Sequence, residues 1–163
     1  MAQGTRVYDW YGDGRLLVAD LGLACCALEF EAATLDRPEV DPAVFDRPGI
    51  DPAVPGLRPD APLAVVVSGT VPDALVPVVV EAIDALGTRA GRPARVVAYG
   101  ACASSGGPYW DSYAVADGIG QFVPVAAFVP GCPPPPGSLE DALAGLTAGA
   151  GTAPSAPAVE EDR

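Results

Sequence analysis

Cysteine is the residue type in this chain best suited to chemistry, and its four copies are unevenly spaced. They stand at Cys25, Cys26, Cys102 and Cys132, an adjacent pair followed by two distant single residues. The 163 residues include no histidine, no lysine and no asparagine. This composition excludes a Ser-His-Asp or Cys-His nucleophile pair, a histidine-ligated metal, a Walker lysine and a Schiff-base lysine. Any chemistry must therefore use cysteine, carboxylate, hydroxyl or backbone groups.

Charge and composition narrow the classes of partner. The formal net charge is −12, which disfavours nucleic acid as a ligand because no basic surface is available to neutralise phosphates. No basic, apolar leader begins the chain, so we expect an intracellular protein with reduced thiols. The uncharged stretch 118–139 is as long as a membrane span, but its prolines exclude a spanning helix. Membrane contact is therefore expected only through partner proteins.

The sequence divides into an N-terminal arm, one main domain and a tail. Residues 1–20 have no sustained hydrophobic period and predict a short arm or hairpin, and residues 147–163 predict a disordered acidic tail. The domain then spans 21–146 and begins with a helix over about 24–35. Within it, the proline-rich segment 36–62 contains a near-duplicated decapeptide and predicts an extended surface insertion.

The rest of the domain alternates short apolar strands with helices. The pattern predicts strands at 63–67, 95–99 and 125–129, and helices at 73–86 and 138–146. Pro77 suits the first turn of the earlier helix, and Gly87 suits its end. Strands joined by crossovers of this length pair in parallel. The predicted fold class is therefore α/β, an open parallel sheet of the flavodoxin-like kind with flanking helices.

This fold brings the cysteines to one edge of the sheet. Cys102 and Cys132 each follow a strand, and the loops at the carboxyl ends of neighbouring parallel strands converge on one crevice. If the Cys25-Cys26 turn opens a helix at the same edge, four thiols meet there. The small residues of 100–107 expose backbone N–H groups, which suit an anionic centre.

Four thiolates around iron and sulfide form such an anionic centre, so an iron–sulfur cluster is the leading interpretation. Zinc competes, although structural zinc favours C-x2-4-C knuckles and this chain has none. Four buried cysteines acting as small hydrophobic side chains are the structural alternative. A disulfide framework fits less well, because the spacing is not that of a small stapled domain.

Three segments carry a family resemblance. LGLACCALE (21–29), YGACASSGG (99–107) and VPVAAFVPGCPPPP (123–136) resemble the signature blocks of the B-type subunits of NADH-quinone oxidoreductase, respiratory complex I. That family is homologous to the small subunits of membrane-bound [NiFe] hydrogenases. The resemblance covers residues 21–146, with gaps only in the proline-rich insertion.

The resemblance implies a function and a set of partners. It implies that Cys25, Cys26, Cys102 and Cys132 hold a [4Fe-4S] cluster, which passes electrons to quinone at the interface with a large, hydrogenase-like subunit. It further implies other iron–sulfur subunits and membrane-arm subunits as partners. The expected location is the cytoplasmic face of the plasma membrane, peripherally and through those partners.

The chain also departs from the family pattern. GLRPDAP (56–62) stands where family members usually have an S-P-R-Q-like motif near the quinone path, and Ala126 and Pro135 replace a usual Asp and Arg. SGTVPDAL (68–75) and DSYAV (111–115) look more like the group 4 hydrogenase relatives. Two alternatives therefore stay open, a small subunit of a group 4 [NiFe] hydrogenase-type complex and a redox-inactive scaffold of the same fold.

A few other side chains have two interpretations each. Glu29 lies one helical turn after the cysteine pair and is either a carboxylate that tunes the cluster or a solvated one. Arg95 is interpreted as a partner in an ion pair at the sheet edge, with a positive neighbour of the cluster as the alternative. Tyr109, Trp110 and Tyr113 follow the Gly-rich loop and are expected at a partner interface, with a quinone path as the alternative.

Overall fold

A computed structural model describes residues 5–41, 58, 60–135 and 137–148 of the chain. In this part, six strands form one sheet in the order β3-β1-β2-β4-β5-β6. The strands are β1 (Val7–Asp9), β2 (Leu17–Gly22), β3 (Glu39–Val40), β4 (Leu63–Ser68), β5 (Arg95–Tyr99) and β6 (Val125–Val129). The α-helices are α1 (Cys26–Thr34), α2 (Val76–Arg89), α3 (Ala101–Ser105) and α4 (Ser138–Ala148).

Four of the strands make a parallel sheet, and the sequence predicts three of them, β4, β5 and β6. Strands β2, β4, β5 and β6 pair in parallel in that order. Strand β1 joins β2 in antiparallel orientation, and β3 joins β1 in the same way. The α/β fold class is confirmed, with the addition of two short antiparallel strands that make the sheet mixed.

The N-terminal segment belongs to this sheet. Strands β1 and β2 form the hairpin that the sequence allows, with Val7 opposite Ala19. However, β2 continues past residue 20 and pairs along its whole length with β4. The separate arm over 1–20 is therefore wrong for residues 7–20, because the second strand of the hairpin is an interior strand of the domain.

Side chains alternate between the two faces of the sheet. In β4, Leu63, Val65 and Val67 pack into one core and Ala64 and Val66 into the other, as the two-residue period of a strand requires. The first core is covered by α2 and the second by α1 and α4. All six β4 residues are buried, which is typical of a central strand covered on both faces.

The predicted helices are present with adjusted ends. Helix α1 runs over Cys26–Thr34 rather than 24–35, and α4 ends at Ala148 rather than 146. A 3-10 turn precedes α2, and Pro77 lies in the first turn of α2 as predicted. The helix continues through Gly87 to Arg89, so Gly87 does not end it. Gly91, with a φ of 68°, takes the left-handed conformation after the helix.

The proline-rich insertion is only partly described. Its first residues leave α1, and Glu39–Val40 forms the edge strand β3, so the segment is not wholly loop. Residues 42–57 and 59, which include most of the duplicated decapeptide, lie outside the described residues, as do 149–163 of the predicted tail. Among the helices described here, none is long and apolar enough to span a membrane.

Candidate functional site

Main-chain hydrogen bonds tie the carboxyl ends of the four parallel strands together. The N–H of Leu23, after β2, donates to the carbonyl of Ser68 at the end of β4. The N–H of Gly69 donates in turn to Tyr99, at the end of β5, and the N–H of Gly100 donates to Val129, at the end of β6. Each loop thus begins from a fixed point on the next strand. All three cysteine-bearing segments leave the sheet at this edge.

The adjacent cysteines stand at the start of α1. Cys25 occupies the N-cap position, and its carbonyl accepts the N–H of Leu28 at 3.1 Å. Cys25 is exposed, whereas Cys26 is buried at 2% exposure in the core beneath α1. Two consecutive residues at the start of α1 therefore have one thiol at the surface and one in the core.

Cys102 lies in the short helix α3, directly after β5. Gly100 precedes this helix with a φ of 96°, a conformation that favours glycine, and Gly106 ends it with a φ of 75°. The N–H of Gly106 donates to the carbonyl of Cys102 at 3.0 Å. The Cys102 side chain is buried at 5% exposure.

Cys132 follows β6 through Pro130 and Gly131. The carbonyl of Gly131 accepts the N–H of Ala101 at 2.8 Å, which joins the β6 loop to the loop that carries Cys102. Cys132 is exposed, and its peptide bond to Pro133 is cis. The site thus combines two buried thiols with two at the surface.

The thiols of Cys25, Cys102 and Cys132 all lie within electrostatic reach of Cys26. Burial raises the pKa of Cys26 to about 11, and Cys25, Cys102 and Cys132 each raise it further. A thiol responds in this way only to charges close by, because the interaction weakens with distance. All four cysteines are free, so a disulfide framework is wrong.

Glycines leave room for the sulfur atoms. A Cβ on Gly100 would lie 2.5 Å from Sγ of Cys26, and one on Gly107 would lie 3.0 Å from Sγ of Cys102. A side chain at Gly100 would therefore force the Cys26 sulfur to shift, and one at Gly107 would press tightly on the Cys102 sulfur. The glycines on either side of α3 thus leave space for the two buried thiols.

The donor set can be compared with what metal centres require. Within the described ranges, no group of three or more His, Cys, Asp or Glu side chains is arranged to hold a single metal ion. A tetrahedral zinc ion needs its sulfur ligands roughly 4 Å apart, given a Zn–S bond of about 2.3 Å. A [4Fe-4S] cluster binds each thiolate to a different iron atom and so takes a wider set. Four free cysteines on the segments that leave one sheet edge supply the number and type of ligands that such a cluster takes.

The structure also shows the surroundings of Glu29, Arg95 and the aromatic residues after the Cys102 loop. Tyr99 has a raised pKa, caused by burial and then by Glu29 and Cys26, so Glu29 and Cys26 both lie within electrostatic reach of the Tyr99 hydroxyl. Arg95 does not form the predicted ion pair with any described carboxylate, because its Nη1 donates instead to the carbonyl of Leu146 in α4. Trp110 and Tyr113 are exposed by 68% and 99%, as a partner surface would be in the free chain.

Asp20 is a functional candidate that the sequence did not indicate. It lies near the end of β2, and Oγ of Ser68 donates to its carboxylate across the β2–β4 pair. Burial raises the pKa of Asp20 to about 7. The local sequence signal was only an aspartate after an apolar run, which is also typical of a strand end.

Comparison with known proteins places the chain in a family. Residues 24–146 match the family described as NADH ubiquinone oxidoreductase, 20 Kd subunit. The chain belongs to this family. The resemblance predicted from the three cysteine-bearing segments is thereby confirmed, and the match contains all four cysteines.

Individual relatives support the assignment of the chain to the 20 Kd subunit family. The chain is 44% identical over 133 residues to the second B-type subunit of NADH-quinone oxidoreductase of Streptomyces griseus, covering 82% of this chain and 52% of that protein. It is 40% identical over 134 residues to the first B-type subunit of the same enzyme of Salinispora tropica, covering 82% and 65%. The chain thus spans about half to two thirds of the length of these relatives.

A solved structure supports the fold. The chain is similar to a chain in the structure of the membrane-bound sulfane sulfur reductase, an archaeal respiratory membrane complex, with a TM-score of 0.55. The alignment covers 85% of this chain and 72% of that one, at 21% sequence identity. At this identity the likeness shows a shared α/β architecture.

Proposed function

We propose that this chain is the electron-transfer subunit of a membrane-associated NADH-quinone oxidoreductase. Cys25, Cys26, Cys102 and Cys132 would hold a [4Fe-4S] cluster, which passes electrons to quinone at the interface with a large subunit. The observation that carries the proposal is the grouping of four free thiols at one sheet edge, in a chain of the 20 Kd subunit family.

The burial of the thiols suits a cluster at a protein surface. Cys26 and Cys102 would bind the cluster from its buried side, and Cys25 and Cys132 would bind it from the protein surface. When bound, the cluster supplies a centre that accepts and donates one electron at a time. The thiols must ionise to bind iron, and the neighbouring thiols raise the pKa of Cys26 because thiolates without iron repel one another. The positive charge of the iron atoms would compensate for this repulsion when the cluster is bound.

The surface around the exposed thiols suits a protein partner. Trp110 and Tyr113 extend from the segment after the Cys102 loop, and Leu28, on α1 beside the cysteine pair, is 69% exposed. Aromatic and large apolar side chains are enriched in such interfaces. We propose the large, hydrogenase-like subunit as the partner here, with other iron–sulfur subunits and membrane-arm subunits completing the complex. These partners would hold the chain at the cytoplasmic face of the plasma membrane.

The sequences of two segments favour a second candidate, a small subunit of a group 4 [NiFe] hydrogenase-type complex. The two segments that resemble those relatives, 68–75 and 111–115, pair with each other. The N–H of Asp73 donates to the carbonyl of Ala114 at 3.0 Å, and Pro72 forms a bridge with Val115. A redox-inactive scaffold is the third possibility that the experiment must separate.

A reoxidation experiment distinguishes these functions. The full chain, purified anaerobically with its partner subunits, is reduced, and its cluster is followed by low-temperature EPR. We expect a short-chain quinone to remove the reduced-cluster signal, and we expect this signal to be lost in Cys102→Ser. Reduction of the cluster by hydrogen gas, without a response to quinone, would instead support the hydrogenase-type complex. A wild-type complex without any signal would support the scaffold.

A further inference from the structure

The turn that carries the adjacent cysteines is tied to the end of β4. The Ser68 carbonyl, in the last residue of this strand, accepts the N–H of Leu23 at 2.9 Å and that of Ala24 at 3.3 Å. Both donors come just before Cys25, in the segment that leaves β2. The turn therefore starts from a fixed point on the neighbouring strand.

Gly69, which follows β4, lies against the residue before the cysteine pair. A Cβ on Gly69 would lie 2.7 Å from Cβ of Ala24 and 2.9 Å from the backbone nitrogen of Ala24. That nitrogen donates to the Ser68 carbonyl, and neither atom is the end of a flexible side chain. A side chain at Gly69 would therefore push the start of the turn away from the sheet.

Gly22, the last residue of β2, lies against the residue after the cysteine pair. A Cβ on Gly22 would lie 2.8 Å from Cβ of Ala27 and 2.9 Å from Oδ2 of Asp20. The Asp20 carboxylate can rotate away, whereas Ala27 is held in the first turn of α1. Gly22 does not have a positive φ, so close packing, and not the backbone conformation, favours glycine here.

These two contacts decide where the two thiols lie. Ala24 and Ala27 flank the cysteine pair, so their contacts fix both ends of the turn. Consecutive helical residues point about 100° apart, so only one orientation of the turn holds Cys26 in the core and Cys25 at the surface. A tilt or rotation of the turn would move the Cys26 thiol, which is 2% exposed, out of the core.

We propose that Gly22 and Gly69 are positioning residues that set the places of the Cys25 and Cys26 thiols before a cluster binds. The inference rests on the proposed function, because these thiols are two of the four proposed ligands. The glycines act through the two alanines that flank the cysteine pair, and not by contact with a cluster. A site whose ligands are already in place needs less rearrangement when the cluster binds.

Alkylation of the full chain without cluster measures the positions of the thiols. The chain is treated with iodoacetamide, and mass spectrometry gives the rate at each cysteine. In the wild type, we expect Cys26 to react at least about tenfold more slowly than Cys25, because it is buried. In Gly22→Ala, the rate at Cys26 should rise about tenfold. Gly145→Ala is the matched control and should leave the rate unchanged, because Gly145 also lacks a positive φ and a Cβ there meets nothing within 4 Å.

The other buried thiol distinguishes a displaced turn from an unfolded chain. Cys102 is 5% exposed and belongs to α3, so it should stay slow when only the cysteine turn moves. A rise at both Cys26 and Cys102 in Gly22→Ala would mean general unfolding and would overturn the positioning role. An unchanged rate at Cys26 would overturn it as well.

A compensating variant tests the contact itself. Gly22→Ala/Ala27→Gly moves one methyl group from the helix to the strand, so the clash is removed at a modest cost in helix stability. We expect this double variant to restore the slow reaction of Cys26. In the assembled complex, Gly22→Ala should also shift the g values of the reduced cluster in EPR, and the double variant should return them. A double variant that behaves as Gly22→Ala does would contradict the contact.

Gly69→Ala tests the other end of the turn in the same way. Its control is Gly91→Ala, because both glycines have a positive φ and only Gly69 is in close contact. Cys26 should become reactive in Gly69→Ala alone, and equal rates in the two variants would overturn the role of Gly69. A wild-type complex without any cluster would overturn the proposed function, whereas the alkylation rates of the cluster-free chain decide the positioning role by themselves.

Discussion

Single atoms decide whether the four thiols can come together. Gly100 combines a backbone conformation that favours glycine with a 2.5 Å approach of its absent Cβ to Sγ of Cys26. Cysteine alone therefore does not define the site, because the loop between β5 and α3 must also leave space. The position of Cys102 after a predicted strand placed it at this edge of the sheet. It did not predict that the glycine before it packs against a thiol from another helix.

Gly100→Ala should damage the site more than the fold. The strained backbone costs about 1–3 kcal/mol, and the added methyl group displaces the Cys26 thiol. Gly91→Ala is the matched control, because its φ is also positive at 68° but a Cβ there meets nothing within 4 Å. We expect both variants to lose stability in urea unfolding and only Gly100→Ala to lose bound iron. Equal iron contents in the two would contradict the packing argument.

Asp20 should make folding stability depend on pH. Its pKa is about 7 in the folded protein and 3.8 when unperturbed, so the folded state binds the proton more tightly. Its contribution is complete below about pH 4 and is lost as pH rises through about 7. The loss amounts to at most roughly 4 kcal/mol. Urea unfolding of the cluster-free chain at about pH 5 and about pH 8 should show this fall in the wild type and not in Asp20→Asn. A similar fall in both proteins would place the titrating group elsewhere.

At the scale of elements, the sequence predicts the strands that stand out as short apolar runs. Strands β4, β5 and β6 lie within a residue of their predicted bounds, because each is a short apolar run between turn residues. Strand β2 was missed as part of the parallel sheet because Leu16 to Ala19 are buried on both faces and show no alternation. Its pairing with β4 spans a long intervening segment, which no local pattern reveals. The Asp20 site depends on that pairing and was missed with it.

A clamp between distant elements holds the N-terminal hairpin to α4. Glu140 accepts hydrogen bonds from Nε1 of Trp10 at 2.7 Å and from Nη2 of Arg37 at 2.8 Å. The Arg37 guanidinium also stacks over the Trp10 ring at 3.8 Å. Three segments far apart in the sequence thus meet at one carboxylate.

Glu140→Ala should destabilise the fold through this clamp. It leaves the Trp10 indole N–H without its acceptor, at a cost of about 1–3 kcal/mol. Asp141→Ala is the control, because it removes an exposed carboxylate from the same first turn of α4. Urea unfolding should therefore show a larger loss for Glu140→Ala. Equal losses would mean that only the interaction with the helix dipole matters.

At the scale of the whole molecule, the segment that follows the Cys102 loop presents the exposed side chains of Trp110 and Tyr113. Residue-resolved hydroxyl-radical footprinting can test whether a partner covers this surface. Trp110 should be oxidised readily in the isolated chain and protected in the complex, whereas Trp10, at 1% exposure, should be protected in both. An equally reactive Trp110 in the complex would place the partner interface elsewhere.

The central claim is that four thiols from three segments of the chain hold one iron–sulfur cluster. Iron and acid-labile sulfide analysis of the anaerobically purified chain, combined with EPR after reduction, measures this most directly. About four iron and four sulfide per chain are expected, with a reduced-cluster signal that is lost in Ser variants of Cys25, Cys26, Cys102 and Cys132. One zinc per chain without sulfide, or an unchanged signal in any of these variants, would contradict it.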